Sequence, residues 1–189
     1  MDVLVLYKDY LMIEMNYSED TVISYLNDVE QFEQFLKTEG LADSLLGATR
    51  ERLARNYISY LDNQNFTKTS IARKISALKN FYSYLQSKNL IDINIFQFVK
   101  TPKVPKRLPQ VIQDEEINYL FESIDRTKPL GVRNYLILDL LYSCGLRASE
   151  LIGLTVSDVY ISNEQLKIHG KGGKDRYVPL HQNLVEQLK

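Results

Sequence analysis

Cysteine is nearly absent. Cys144 stands alone in 189 residues, which excludes an internal disulfide framework. Histidine is almost as scarce: His169 and His181 are the only two, and with Cys144 they form no recognisable metal-ligand spacing. Each of the three is therefore read as a structural or solvated residue. Neither a metal nor a cofactor is expected. No apolar run reaches the length of a membrane span. The opening residues, Met1-Asp2-Val3-Leu4-Val5-Leu6-Tyr7-Lys8, lack the basic start and small-residue cleavage site of a secretory signal. Internal repeats and low-complexity tracts are missing as well. These absences together predict a protein of the reducing cytoplasm with no membrane partner. What is present, a 44% hydrophobic fraction, is enough for a packed core in one domain or two small ones.

Net charge is also small, at −1, but it conceals an asymmetry. Residues 1–65 carry 5 Lys+Arg against 12 Asp+Glu, a net of −7. Residues 66–110 carry 9 against the single Asp92, a net of +8, and residues 111–189 carry 9 against 11, a net of −2. The basic stretch is a candidate phosphate-contacting surface, or else a solvated helix face followed by a basic linker.

The first half reads as four helices. Leu6, Tyr10, Leu11 and Ile13 share one side of a segment from Val3 to Met15. Ser18 is a suitable N-cap for a second helix, whose apolar stripe is Val22, Leu26, Val29, Phe32 and Leu36 and whose stop is Gly40. A third spans about Thr49 to Asp62, and a fourth opens at Thr67 to Ser70 and carries Ile71, Ile75, Leu78, Phe81, Tyr82 and Leu85 inward. Four helices on short loops predict a bundle over residues 1–98. Residues 99–110 hold three prolines and four basic residues, Lys100, Lys103, Lys106 and Arg107, and read as an extended linker whose cations could meet phosphates.

Residues 111–189 begin with a helix capped by Asp114. A longer, almost wholly apolar helix follows from about Leu130 to Cys144 and is expected to be centrally buried, with Tyr135 and Tyr142 in the core. Thr155–Ile161, Gln165–His169 and Arg176–Leu180 read as three short strands, with Tyr177 again assigned to the core, and a last helix starts near Gln182. The fold class is mainly α with a small antiparallel sheet. A final helix with nothing after it to pack on predicts an incomplete domain.

Two motifs carry chemistry. Arg147 follows the helix stop at Gly145, with Glu150 three residues on. The pair is either a salt bridge across a short helix or a phosphate-gripping guanidinium steadied by a carboxylate. Gly170-Lys171-Gly172-Gly173-Lys174 is not a P-loop, because the glycines are too close, Asp175 replaces Ser or Thr, and a strand follows. It reads as a hairpin turn with Lys171 and Lys174 at its tip, where they either reach into DNA or only aid solubility. Lys171 is a suitable proton donor to a leaving oxygen.

Together, 24 residues apart, Tyr142-Ser143-Cys144-Gly145-Leu146-Arg147-Ala148-Ser149-Glu150-Leu151 and Gly170-Lys171-Gly172-Gly173-Lys174-Asp175-Arg176-Tyr177-Val178-Pro179-Leu180 resemble the arginine motif and lysine hairpin of tyrosine recombinases, the phage-integrase and Xer-like family. The resemblance implies a four-helix SAM-like core-binding domain, a basic linker, and the opening of a catalytic domain. It implies site-specific cutting and rejoining of double-stranded DNA through a 3′-phosphotyrosyl intermediate, without ATP or metal. Arg147 matches the first phosphate-binding arginine, Glu150 the acidic residue that supports it, and Lys171 the general acid. Lys174 and Arg176 match flanking basic positions expected on the DNA backbone.

In the bundle, the family's two groove-crossing helices point to Thr21 and Tyr25 on the second helix and to Lys68, Thr69, Arg73 and Lys74 on the fourth; Lys103, Lys106 and Arg107 are the linker candidates. The family's later His-x-x-Arg motif and nucleophilic tyrosine have no counterpart in residues 1–189, so no nucleophile is assigned. Paired core sites on DNA and self-association, or a second recombinase, are the implied partners. Chromosome-dimer resolution, phage or transposon integration and inversion all fit this family. A non-catalytic DNA-binding relative is the alternative, and a helical protein-interaction module is a third reading.

Overall fold

The computed structural model describes residues 2–103, 111–170 and 172–189. The chain forms two compact units, Met1–Arg107 and Leu108–Lys189, each with its own core.

The first unit is helical. Helix α1 (Val3–Asp9) is capped by Asp2, which accepts from the Leu4 N–H at 3.0 Å, and it widens into a π-helical turn over Tyr10–Glu14. Helices α2 (Glu19–Thr38), α3 (Glu51–Asn63) and α4 (Lys68–Ser87) complete the bundle. The start of α4 and the end of α2 agree with the capping chemistry in the sequence. Thr67 accepts from the Ser70 N–H at 3.2 Å, and Gly40 ends α2 with φ +62°, a conformation that costs glycine little. Ser18 occupies the N-cap of α2, but its hydroxyl pairs with that of Thr21, 2.8 Å away.

The apolar stripes converge on an aromatic core. Phe32 meets the rings of Tyr57 and Phe96 edge-on at 4.9 and 5.1 Å, and Tyr7 meets Phe81 at 4.9 Å. Such edge-to-face pairs satisfy the ring quadrupoles as well as excluding water. The buried tyrosines keep their hydroxyls satisfied: Tyr82 donates to the Leu45 carbonyl at 2.9 Å and Tyr7 to Asn80 at 2.7 Å, and burial pushes both phenols above their ordinary pKa.

The second unit contains α5 (Asp114–Glu122), α6 (Pro129–Ser143), α7 (Ala148–Ile152), strands β1 (Val159–Tyr160), β2 (Gln165–His169) and β3 (Asp175–Pro179), and α8 (Gln182–Gln187). The sheet is antiparallel in the order β1-β2-β3, with Leu166 opposite Val178 and His169 opposite Asp175. Leu166 and Ile168 turn inward against Leu140, Leu146, Leu184 and Val185.

Four expectations are corrected here. The cap of α5 is Gln113, not Asp114, because Glu116 reaches back to accept from the Gln113 N–H at 2.9 Å. The first predicted strand is mostly a 3-10 turn, Val156–Asp158, and only Val159–Tyr160 pairs. The Asp158 carboxylate closes that turn on the Thr155 N–H and hydroxyl at 2.9 and 2.7 Å. Helix α6 is not centrally buried: of its residues only Asp139 and Leu140 are, while Leu130, Val132 and Ile137 are exposed. Tyr142 and Tyr177 are exposed too rather than core, and Tyr135 is half-buried beside Phe121. The mostly apolar surface of α6 needs cover on more than one face, and within this unit the core cluster packs along one side of it.

Candidate phosphate site and nucleic-acid interface

Helix α6 ends at Ser143, Gly145 with φ of +60° turns the chain just beyond it, and Arg147 then takes the extended N-cap position of α7. This backbone places Glu150, three residues later, under Arg147. The Glu150 carboxylate accepts from the Arg147 N–H at 2.8 Å and from Arg147 Nη1 at 2.8 Å. Arg176 on β3 grips the same carboxylate from the other side, Nη1 on Oε1 at 2.7 Å and Nη2 on Oε2 at 2.9 Å. Glu150 is consequently held far below the ordinary carboxylate range, first by the Arg176 hydrogen bonds and then by the Arg147 amide, while Arg176 is pushed up by Glu150. The Arg147 side chain remains 72% exposed. The trio carries a net charge of +1 with its accessible guanidinium turned outward, a geometry suited to an anionic oxygen.

The lysine hairpin joins β2 to β3. Gly172 and Gly173 take φ of +77° and +72°, and the Gly170 N–H closes on the Lys174 carbonyl at 2.9 Å. Lys174 is exposed on this turn; Lys171 lies outside the described residues. The root of the hairpin is ionic. His169 Nδ1 lies 2.9 Å from Asp175 and Nε2 lies 3.0 Å from Asp158, and Lys167 holds Asp175 at 2.9 Å. Asp175 and then Asp158 raise the His169 pKa. Asp158 is itself lowered to about 2, mainly by the Thr155 hydroxyl, and Asp175 is lowered mainly by Lys167. His181 caps α8: its Nδ1 accepts from the Leu184 N–H at 3.2 Å, so Nε2 donates to the buried Asp139 at 3.0 Å. Both histidines are structural, as their sequence context suggests. That His169 bridges two carboxylates, however, depends on strand register and on the Asp158 turn.

In the first unit, Thr21 and Tyr25 lie part-exposed on α2, with the Tyr25 ring against Tyr17, and Lys68 and Thr69 are exposed in the first turn of α4. Arg73 is half-exposed and ion-paired with Asp28. Lys74 departs from the expectation. It is buried at 6% exposure, its ammonium 2.9 Å from Asp28 and also bonded to Gln31, so it ties α4 to α2 and presents no charge to a phosphate. The helical spacing explains this: Lys74 shares the inward face with Ile71, Ile75 and Leu78. Asp28, 1% exposed, is the residue the sequence reading missed; its only signal was a carboxylate inside the apolar stripe of α2. Lys103 is exposed, and Lys106 and Arg107 lie outside the described residues. Among the described residues no cluster of metal-ligating side chains occurs, and no helix is long and apolar enough to cross a membrane.

Comparison with known proteins gives this arrangement a class. The family description "Phage integrase, N-terminal SAM-like domain" matches residues 4–89, and "Phage integrase family" matches residues 110–189. The chain belongs to the phage integrase family, the tyrosine recombinases. It is 37% identical over 184 residues to tyrosine recombinase XerC of Bacillus subtilis (strain 168), covering 97% of this chain and 60% of that protein. To XerC of Pediococcus pentosaceus it is 38% identical over 190 residues, covering 100% of this chain and 63% of that protein. The chain thus spans between 60% and 63% of the length of these relatives. Its fold is similar to a lambda integrase dimer bound to a COC' core site (TM-score 0.70, 17% identity, 97% of this chain and 49% of that one). It is also similar to the Tn1549 transposon integrase in complex with circular intermediate DNA (TM-score 0.65, 18% identity, 99% and 63%).

Two predictions follow from the ion pairs. Asp28→Asn leaves the buried Lys74 ammonium without its counter-charge and is expected to cost about 3–5 kcal/mol in urea unfolding followed by circular dichroism; a cost below about 1 kcal/mol contradicts this account. His169, raised above 6.5 by its two carboxylates, adds stability that is complete below 6.5 and is lost as pH rises through its folded pKa. NMR titration of its ring carbons is expected to give a midpoint above 6.5, and His169→Gln is expected to abolish the stability loss on that alkaline flank. A midpoint at or below 6.5 rules the bridge out.

Proposed function

We propose that this protein acts in site-specific DNA recombination, cutting and rejoining double-stranded DNA through a 3′-phosphotyrosyl intermediate. In this reading residues 1–98 are a core-binding domain, residues 99–110 a DNA-facing linker, and residues 111–189 the opening of a catalytic domain. The observation that carries it is the exposed Arg147 guanidinium held over a doubly gripped Glu150 and followed by a glycine-lysine hairpin.

Each residue then has a chemical task. Arg147 forms paired hydrogen bonds to the scissile phosphate and offsets the charge that builds on its equatorial oxygens. Glu150 fixes the direction of that guanidinium. A tyrosine oxygen attacks phosphorus and the 5′-oxygen departs, taking its proton from Lys171; the new phosphotyrosyl ester keeps the bond energy for rejoining, so neither ATP nor a metal is required. The tyrosine is not assigned within residues 1–189. Lys68, Thr69 and Arg73 on α4, Thr21 and Tyr25 on α2, and Lys103, Lys106, Lys174 and Arg107 supply the DNA contacts.

The partner is duplex DNA with paired core sites, bound by two or more recombinase copies or by a second recombinase, in the cytoplasm. Relatives named XerC support this reading, as do neighbours described as integrases on a core site, on circular intermediate DNA and, as a tetramer, on a Holliday junction.

In the protein as its organism produces it, Arg147→Ala is expected to lower strand cleavage of a nicked core-site substrate by about 10²-fold or more, with DNA affinity little changed. Cleavage at the unsubstituted rate overturns the assignment. Binding by the unsubstituted protein without covalent capture of DNA points to the non-catalytic alternative. Affinity for duplex DNA is expected to fall steeply with added salt, and Lys68→Ala to reduce that logarithmic slope by about 1; a flat salt response excludes phosphate contact by the helical unit.

A further inference from the structure

We propose that Arg176 is a positioning residue for Arg147: it neutralises and locks the shared Glu150 carboxylate, so that Arg147 faces an anion with its charge uncancelled. This rests on the phosphate site proposed above. It replaces the expectation that Arg176 itself lies on the DNA backbone.

The geometry of the carboxylate is the argument. Each Glu150 oxygen takes one hydrogen bond from each arginine: Oε1 accepts from Arg147 Nη1 and Arg176 Nη1, Oε2 from the Arg147 amide and Arg176 Nη2. Both Nη atoms of Arg176 donate to Glu150 in this bidentate grip, whereas Arg147 commits only Nη1 of its side chain. Exposure divides the two in the same way, 72% for the Arg147 side chain and 37% for that of Arg176, over a Glu150 side chain exposed by only 5%.

Charge makes the arrangement consequential. An Arg147–Glu150 pair alone is neutral, and a phosphate approaching it would meet the carboxylate's repulsion almost as closely as the guanidinium's attraction. The second guanidinium restores a net charge of +1. The planar fork also fixes the carboxylate in two directions, which a lysine could not do. Topology adds a further link. Arg176 lies on β3 opposite Ile168, directly after the turn that carries the glycine-lysine motif. Glu150 thereby fastens the start of α7 to the root of the lysine hairpin, so that the guanidinium and the hairpin keep a common frame.

The test titrates the 189-residue chain with inorganic phosphate and follows the Arg147 side-chain N–H resonance by NMR. The forms compared are the unsubstituted chain, R176Q, R176K, E150Q and the double variant E150Q/R176K. R176Q is expected to weaken phosphate binding at Arg147 by about threefold to tenfold, the effect of one unit charge at the edge of a solvated site. R176K is expected to recover part of that loss, because it restores charge without the fork. The decisive comparison is lysine against arginine at position 176: with Glu150 present R176K should bind phosphate more weakly than the unsubstituted chain, whereas in the E150Q background, where no carboxylate is left to grip, E150Q/R176K should match E150Q within about twofold.

An equal lysine deficit in both backgrounds overturns the proposal, since Arg176 would then be contacting phosphate directly; no deficit in either also overturns it. An Arg147 resonance that ignores phosphate in the unsubstituted chain instead refutes the phosphate site itself, and this inference with it. If R176Q leaves an uncompensated carboxylate and fails to fold, R176K against the unsubstituted chain and E150Q/R176K against E150Q still give the answer, because each keeps the positive charge at position 176.

Discussion

The Glu150 carboxylate, shared between two guanidiniums, is the interaction on which the second unit's candidate site depends. It accepts from the backbone and the side chain of Arg147 and, through β3, from Arg176. One small anion therefore sets the direction of an exposed cation, caps the first turn of α7, and joins that turn to a strand 26 residues away. Remove the carboxylate and three separate features lose their common anchor. Its depressed pKa is the thermodynamic counterpart of that crowding by donors: the ionised form is the one every neighbour prefers.

The first unit uses the same device for another purpose. Asp28 also sits between two cations, Arg73 and Lys74, but it is enclosed, and so is Lys74. There the pairing fixes the register of α4 against α2, and only Arg73 keeps access to solvent. Paired burial of this kind contributes little net stability compared with an apolar contact, but it is costly to break halfway, which favours a single alignment of the two helices. A third ionic node, His169 between Asp175 and Asp158, secures the hairpin root against the 3-10 turn before β1. The protein thus places its lysine-bearing turn and its arginine on backbone frames cross-linked by charge rather than by a deep core, which suits a unit whose buried cluster is small.

Much of the architecture was legible in the chain. Helical periodicity and caps located α2, α3 and α4 to within a residue or two, because apolar spacing and the Thr67 and Gly40 signals act locally. The two short motifs marked Arg147, Glu150 and the glycine-lysine turn for the same reason: each is a contiguous string whose chemistry is visible without a partner. Where the reading failed, the cause was mostly non-local. Helix α6 is mostly apolar, and no pattern within it reports which faces a small unit will cover; Tyr142 and, on β3, Tyr177 went astray for the same reason. Lys74 looked like its exposed neighbour Arg73, and only the packing of α4 on α2 shows that one step around the helix separates a surface cation from an interior one. The 3-10 turn at Val156–Asp158 was hidden because an aspartate closing on its own turn interrupts what the composition presents as a strand.

The sequence by itself determined most of the elements, their order, the family membership and the candidate site side chains, since these rest on spacing and residue chemistry along the chain. The tertiary structure alone decided which cations remain available. The family resemblance put both Arg176 and Lys74 on a DNA-facing surface, and both are engaged by carboxylates contributed from another element, Glu150 of α7 and Asp28 of α2. An ion pair forms where two charges of opposite sign are brought together, and for residues separated by 26 and 46 positions that meeting is a property of the fold.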